Sequence, residues 1–435
     1  MTVSGRFVAL VAFGIVPVIS IGTATGEPGL VLGCWLLFAI ALGILDLVLA
    51  ASPRVLVPSR SLPARTRLGE TVESELYLAN QGTRTLRGVV RDAWQPSAGA
   101  SVYRTRVTIP AGERRLVTVP LTPFRRGERR VEQVTVRSFG PLGLCARQAT
   151  LKSPGRIRVL PPFHARKHLP SRLARLRELD GATSVMVRGQ GTEFDSLREY
   201  VRGDDVRSID WRATARRRDV VVRTWRPERD RRVVLVIDTA RTSAARIADE
   251  PRLDTAFEAS LLLAALATRA GDRVDLLAYD RRMRARVQGA TGADLMARMV
   301  DALATVEPEL LEMDWAAVPA LVREVTSQRS LVVLLTSVDA PGASTALLSM
   351  LPQLTKRHLV VVASVTDPAV LAASRQRRNR DGVYLAAAAE RSLLDIARVS
   401  EAVKQMGAEV VTASPSELPP VLADRYLALK AAGRL

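Results

Sequence analysis

The sequence predicts a multidomain chain: an N-terminal transmembrane helical hairpin, a β-sandwich-like middle domain and a C-terminal α/β domain of the Rossmann type. Three observations carry this: two apolar runs within the first 52 residues, period-two alternation from Val55 to Leu151, and continuous β-branched runs alternating with helical spacing from Arg231 onward. The expected boundaries are 1–52 for the hairpin, 53–151 for the sandwich, 152–230 for a linker with a charged motif, and 231–435 for the α/β domain. A chain of 435 residues can build several cores, and 47% hydrophobic against 25% charged content excludes a disordered chain. Aromatics make up only 4%, so those cores must be made of Val, Leu, Ala and Ile.

Phe7 to Ile21 is broken only by Gly14, Pro17 and Ser20, and Gly29 to Ala51 carries Asp46 as its one charge. A helix crossing the hydrocarbon core needs ~20 apolar residues. The expected spans are about 7–25 and 29–51, joined by Gly22–Pro28 without Lys or Arg. A cleavable signal would not be followed at once by a second, longer apolar run. Arg54, Arg60, Arg65 and Arg67 follow the second span, so the positive-inside bias predicts a multi-pass plasma-membrane protein with its large C-terminal part in the cytoplasm.

The net charge of +19 lies in the middle of the chain: residues 53–150 hold 17 Lys and Arg against 7 acids, residues 151–232 hold 21 against 11, and residues 233–435 balance. Such charge suits anionic membrane lipid. Nucleic acid is not expected, because the arginines alternate with carboxylates and no aromatic platform is interleaved. Cys34 and Cys145 form no disulfide framework, and His164, His168 and His358 are too scattered for a zinc site.

From Val55 the alternation is visible in Val72–Leu78, Tyr103–Ile109, Leu116–Val119 and Val131–Val136, separated by Asn80-Gln81-Gly82, Pro110-Ala111-Gly112 and Arg126-Gly127. Short strands at such spacing predict an all-β sandwich with a spacing or docking role.

The densest stretch runs from Gly189 to Arg216, where acids and arginines alternate. Buried unpaired ions are costly, so these charges must pair or face water. In a structural reading Glu193, Asp204, Asp205 and Asp210 pair with Arg198, Arg212, Arg216 and Arg223. In a functional reading the arginines await an acidic partner or a phosphate. Gly189 and Gly191 do not make a nucleotide loop, since no Lys-Ser/Thr follows them.

Gly191 to Arg216, with Glu193, Arg198, Tyr200, Asp204, Asp205, Asp210, Trp211, Arg212 and Arg216 as its marked positions, resembles the signature of the domain-of-unknown-function family 58. Phe139–Leu144 resembles that family's strand-ending element, and the likeness extends over essentially the whole chain. It implies a von Willebrand factor A-like C-terminal domain and a partner among the MoxR-type AAA+ ATPases.

The α/β domain opens with Val233–Ile237, a run expected for a strand buried on both faces, and ends that strand at Asp238. A helix is expected at Leu253–Ala270, a hairpin at Asp272–Gln288, and helices at Ala293–Thr305 and Trp315–Ser327. Strands follow at Ser330–Leu335 and Leu359–Val365, then a helix at Leu385–Met406, a strand at Glu409–Thr412 and a last helix at Leu418–Ala432. Strands alternating with helices imply a mainly parallel sheet, with ligands beyond the carboxyl ends of its strands. The resemblance implies a metal-ion-dependent adhesion site at that edge, with Asp-x-Ser-x-Ser as its first loop. Here the loop reads Asp238-Thr239-Ala240-Arg241-Thr242, and no Thr stands at Glu312-Met313-Asp314. Asp238, Thr242 and Asp339 are the ligands that remain, a degenerate set for an ion such as Mg²⁺ that demands near-octahedral oxygen geometry. No cofactor is therefore expected, with Mg²⁺ at this degenerate site as the alternative. No nucleophile–base pair appears either, so the expected role is a non-enzymatic protein-interaction module, an adaptor for the ATPase in envelope or complex assembly. The alternatives are a scaffold binding anionic lipid, or an unrecognised hydrolase using acids near Asp204 and Asp210.

Overall fold

A computed structural model describes residues 2–186, 193–202, 204–217, 219–226, 231–248, 250–339 and 341–435. They form two units, Met1–Leu160 and Pro161–Leu435.

The first unit opens with a short strand, β1 (Thr2–Val3), and three helices, α1 (Gly5–Phe13), α2 (Ile15–Thr25) and α3 (Pro28–Leu49). The α1–α2 break has a local cause. The Gly14 amide turns to the Val11 carbonyl at 3.1 Å, and the Leu10 carbonyl accepts instead from the Trp35 indole at 3.1 Å. A neighbouring helix thus satisfies a backbone group freed in apolar surroundings. Gly5–Thr25 and Pro28–Val55 are long and apolar enough to cross a membrane, with mean hydropathy 2.3 and 2.4. Only 11% and 17% of their apolar windows are buried, unlike the core helices of a soluble protein.

The body of this unit is two facing sheets. One contains β2 (Leu56–Ser61), β4 (Val72–Asn80) and β7 (Arg114–Leu121). The other runs β1, β9 (Cys145–Leu160), β8 (Gly127–Phe139), β5 (Leu86–Asp92), β6 (Thr105–Ile109), with β3 (Arg65–Arg67) beside β9. Leu76, Leu78, Val117 and Val119 from the first sheet meet Leu86, Val90, Val136 and Ile157 from the second in one core. That is the inward half of the period-two pattern. The sheet domain ends at Leu160 rather than 151. A bulge between Val131 and Gln133 accommodates Pro154, which has no amide to give, and the β8–β9 ladder continues to Gly127↔Val159.

In the second unit, α4 (Leu169–Met186) lays Leu173 and Leu176 on the main core, so its residues are part of the folded body and not linker. A two-stranded antiparallel ribbon follows, β10 (Glu193–Glu199) with β11 (Val221–Arg226), and α5 (Trp211–Arg217) lies between its strands in sequence. The remaining elements are β12 (Arg232–Asp238), β13 (Arg246–Ile247), β14 (Glu250–Pro251), α6 (Arg252–Arg269), β15 (Arg273–Tyr279), β16 (Met283–Val287), α7 (Gly292–Ala304), α8 (Val318–Val325), β17 (Leu331–Leu335), α9 (Pro341–Thr355), β18 (Leu359–Val365), α10 (Pro368–Ala373), α11 (Arg380–Gln405), β19 (Glu409–Ala413) and α12 (Leu418–Ala431).

The sheet order is β16-β15-β12-β17-β18-β19, parallel except for the edge strand β16. Val233, Leu235 and Ile237 face one core with α6, α7 and α12, while Val234 and Val236 face a second with α8, α9 and α11. Both faces of β12 are thus covered, which is why its sequence shows no alternation.

Candidate site at the carboxyl edge of the α/β sheet

The central strands β12 and β17 deliver their last residues to one crevice, lined among others by Asp238, Thr242, Glu312, Trp315, Thr336 and Asp339. This is where a doubly wound sheet exposes strand ends to a ligand. Asp238, Thr242 and Asp339 are therefore brought together.

Asp238 is 2% exposed. Its carboxylate accepts from the Thr336 hydroxyl at 2.7 Å, the Ala240 amide at 2.8 Å and the Thr242 hydroxyl at 3.3 Å. Burial pushes its pKa up, against the lowering effect of those donors. Asp339 faces Arg252 at 3.2 and 3.3 Å. Arg241, in the loop after Asp238, forms an ion pair with Glu312.

Two groups here escaped the sequence reading. Thr336 supplies a hydroxyl from the end of β17, whereas a threonine was sought near 312–314. Asp280, fully buried just beyond β15, accepts from the Arg284 guanidinium at 2.6 Å, the Arg282 amide at 2.9 Å and the Thr239 hydroxyl at 3.0 Å. Burial raises its pKa, but Arg284 and the neighbouring amides outweigh that and hold it below the usual carboxylate range. Its place immediately after a buried strand was the available signal.

The residues present fit a divalent ion poorly. Asp238 already receives three protein donors, Asp339 faces a guanidinium, and Ala240 contributes no oxygen. Among the described residues no group of three His, Cys, Asp or Glu side chains could hold a metal.

The loop that precedes Trp315 lines this crevice through Glu312 and Met313. The Glu309 amide bonds the Thr239 carbonyl, the Arg241 amide bonds the Leu311 carbonyl and the Asp314 amide bonds the Asp280 carbonyl, each at 2.9 Å. Held this way, the loop leaves Leu310 80% exposed.

The charged motif divides its acids and arginines by role. Arg198 pairs with Asp204 at 2.6 Å, and Arg223 with Asp210 at 2.8 Å. Asp205 caps the turn at Val206–Ser208 through the Arg207 amide. Asp210 caps α5 through the amides of Arg212 and Ala213, and the Ala213 amide followed by Arg223 holds its pKa low. Two of the expected pairs thus form, while Asp205 serves the backbone instead. Among the described residues Arg212 and Arg216 form no ion pair. Tyr200 lies at the edge of exposure, and Trp211 is 69% exposed. The side chain of Glu193 lies outside the described residues, as do residues 187–192 at the start of the motif.

The fold and this edge define a two-unit protein with two apolar helical stretches at its N-terminus, a sheet-rich body and an acidic crevice on a doubly wound sheet. Residues 196–374, from within β10 to just past α10, match the model of the family described as "Protein of unknown function DUF58", to which the signature is similar. Uncharacterized proteins of Mycobacterium tuberculosis and Mycobacterium bovis are 27% identical over 192 residues, 44% of this chain and 60% of theirs, so the match covers less than two thirds of those relatives. Among solved structures, the CARDB domain of a Pyrococcus furiosus protein is 15% identical with TM-score 0.19, covering 26% of this chain and 91% of that one. A FixG-related protein from Vibrio parahaemolyticus is 9% identical with TM-score 0.18, covering 24% and 96%. Scores this low carry no argument.

Proposed function

We propose that the chain is a membrane-anchored, non-enzymatic interaction module, an adaptor for a MoxR-type AAA+ ATPase in envelope or complex assembly. On this reading α1–α3 cross the plasma membrane twice, the rest lies in the cytoplasm, and the α/β part is a von Willebrand factor A-like domain whose cation site has become a set of internal contacts. The family resemblance supports the fold and the partner. The observation that carries a binding role is Leu310, exposed on a loop fastened to the sheet's carboxyl edge beside a crevice whose acids are already engaged. An exposed apolar side chain on a rigid mount is suited to filling a partner's pocket.

The test is capture of a co-produced MoxR-type ATPase by the tagged full chain from detergent extract. Recovery is expected with the native chain and a drop of about tenfold with Leu310→Asp, the factor for roughly 1.4 kcal/mol. Equal recovery with Leu310→Asp rules out this surface, and phospholipid alone in the eluate favours the scaffold reading. A reporter fused after Leu435 that is active only outside the cell would reverse the orientation.

A further inference from the structure

We propose that the β8–β9 turn, Gly140–Cys145, is itself a membrane-interface element: Leu142 and Val3 enter the upper acyl region of the bilayer, and Arg6, Arg84 and Arg147 hold phosphodiester headgroups of anionic phospholipid around them. This rests on the reading that α1–α3 cross a bilayer.

The turn is fastened to the helices at one level. Asp46, fully buried in the last part of α3, accepts from the amides of Leu142 at 2.7 Å, Leu144 at 2.7 Å and Cys145 at 2.8 Å. Gly140 comes so close that a Cβ there would lie 2.2 Å from Asp46 oxygens. On the other side of the turn, Ser4, just before α1, donates its amide to the Leu144 carbonyl at 2.9 Å and its hydroxyl to the Gly143 carbonyl at 2.6 Å. Val3 pairs with Cys145 in β1.

Depth follows from helix geometry. Asp46 stands 18 residues after Pro28, about 27 Å along α3 at ~1.5 Å per residue. A hydrocarbon core is ~30 Å thick, so the turn meets the bilayer at its boundary. At that boundary Leu142 is 46% exposed and Val3 59%, at the level along α3 where Leu45 is 50% and Val48 53% exposed. Arg84 donates to the Val48 carbonyl at 2.8 Å and Arg147 to the Leu47 carbonyl at 2.9 Å. Each guanidinium is thus placed at the helix end with donors to spare, and Arg6 lies exposed beside Gly143. Apolar tips within a ring of planar, phosphate-matching cations fit a lipid interface. Attachment of the turn to the end of largely exposed apolar helices selects the bilayer over a protein occupant.

The test uses the full chain with Cys34 and Cys145 changed to alanine and one environment-sensitive label at Leu142→Cys, Leu37→Cys or Phe124→Cys. The chains are reconstituted in vesicles of phosphatidylcholine and phosphatidylglycerol carrying both shallow and deep nitroxide lipids. Leu37 is an exposed residue inside α3, and Phe124 lies before the far end of β8, about 40 Å away at ~3.3 Å per strand residue. The label at 142 is expected to be quenched at least twofold more than that at 124. A label at 142 that matches 124 while 37 is quenched overturns the proposal alone, and no quenching at 37 overturns the anchoring reading with it. Equal quenching at 142 in phosphatidylcholine alone overturns the arginine–headgroup part. Should the cysteine changes disturb folding, benzoylphenylalanine at 142 in the native-cysteine chain must photocrosslink phospholipid, and at 124 must not.

Discussion

Asp46 and Asp238 are both buried carboxylates with three hydrogen-bond donors each, but the donors differ in kind. Asp46 is held by three backbone amides from one turn. Asp238 is held by two hydroxyls and one amide gathered from two strand ends. Amides in a turn point where the backbone puts them and have no other partner, so the first arrangement locks one geometry. Hydroxyls rotate and can turn their lone pairs elsewhere. The difference separates a structural clasp from a crevice that substitution can readdress.

The comparison breaks most sharply at Asp46. Replacement by Leu strands three amides, that of Leu144 buried and those of Leu142 and Cys145 part-buried, a buried orphan costing about 1–3 kcal/mol. Asp46→Leu should therefore lose more than ~3 kcal/mol, read as failure to accumulate in the membrane fraction or a large drop in thermal midpoint in detergent. A native-like midpoint would show that the clasp does not hold the turn. Gly140→Ala comes next. Its Cβ meets backbone and carboxylate of Asp46 rather than a flexible side-chain end, so the clasp must open, with an expected loss of about 1–3 kcal/mol, the usual cost of overpacking.

The clasp shows where sequence reading stops. Asp46 was visible as a lone charge in an apolar run, and Phe139–Leu144 as a strand-ending element. That one binds the other is a contact across nearly a hundred residues, made to backbone amides that carry no residue code. The local patterns were legible: Val233–Ile237, Leu359–Val365 and the helix beginning near Leu418 stand where periodicity put them, because each is set by burial on a sheet or helix face. The helix Pro341–Thr355 was missed, with Pro341, Gly342 and an internal Pro352 masking its periodicity. At the crevice, Asp238 and Asp339 were legible as acids closing buried strands. Thr336 was not, since a hydroxyl on a neighbouring parallel strand becomes a partner only once register is fixed.

The pH dependence of the two buried acids in the α/β unit should run in opposite directions. Asp238 has a pKa raised above its ordinary 3.8, so its contribution is fully present below that ordinary value and is lost as pH rises through the raised one. Asp280 has a lowered pKa, so its contribution is present above the ordinary value and is lost as pH falls through the lowered one. Asp238→Asn keeps a carbonyl to accept from Thr336 and Ala240 while removing the titration. The midpoint of the native chain should fall relative to Asp238→Asn as pH rises from the acidic side toward neutrality. Parallel pH profiles for the two chains would mean that burial does not penalise the Asp238 charge.

The smallest expected effect tests whether rotatable hydroxyls make the crevice readdressable. Ala240→Ser restores an oxygen beside Asp238, and Arg252→Ala removes the guanidinium that faces Asp339. Together they assemble hydroxyl and carboxylate oxygens of the hard type that Mg²⁺ and Mn²⁺ prefer. The native chain should give no binding heat with either ion, whereas the double variant should bind with a dissociation constant on the order of a millimolar. Saturation at ten times that constant would raise stability by only about 1.4 kcal/mol. Arg252 and Asp339 keep only 20% and 30% of their side chains exposed, so removing Arg252 costs more than the ~0–1 kcal/mol of a surface pair, and a thermal midpoint checks that the double variant is folded. Heat from the native chain that disappears in Asp238→Ala would show that the internal donors yield to a cation without help, placing Asp238 with ligand-binding acids rather than with clasps like Asp46.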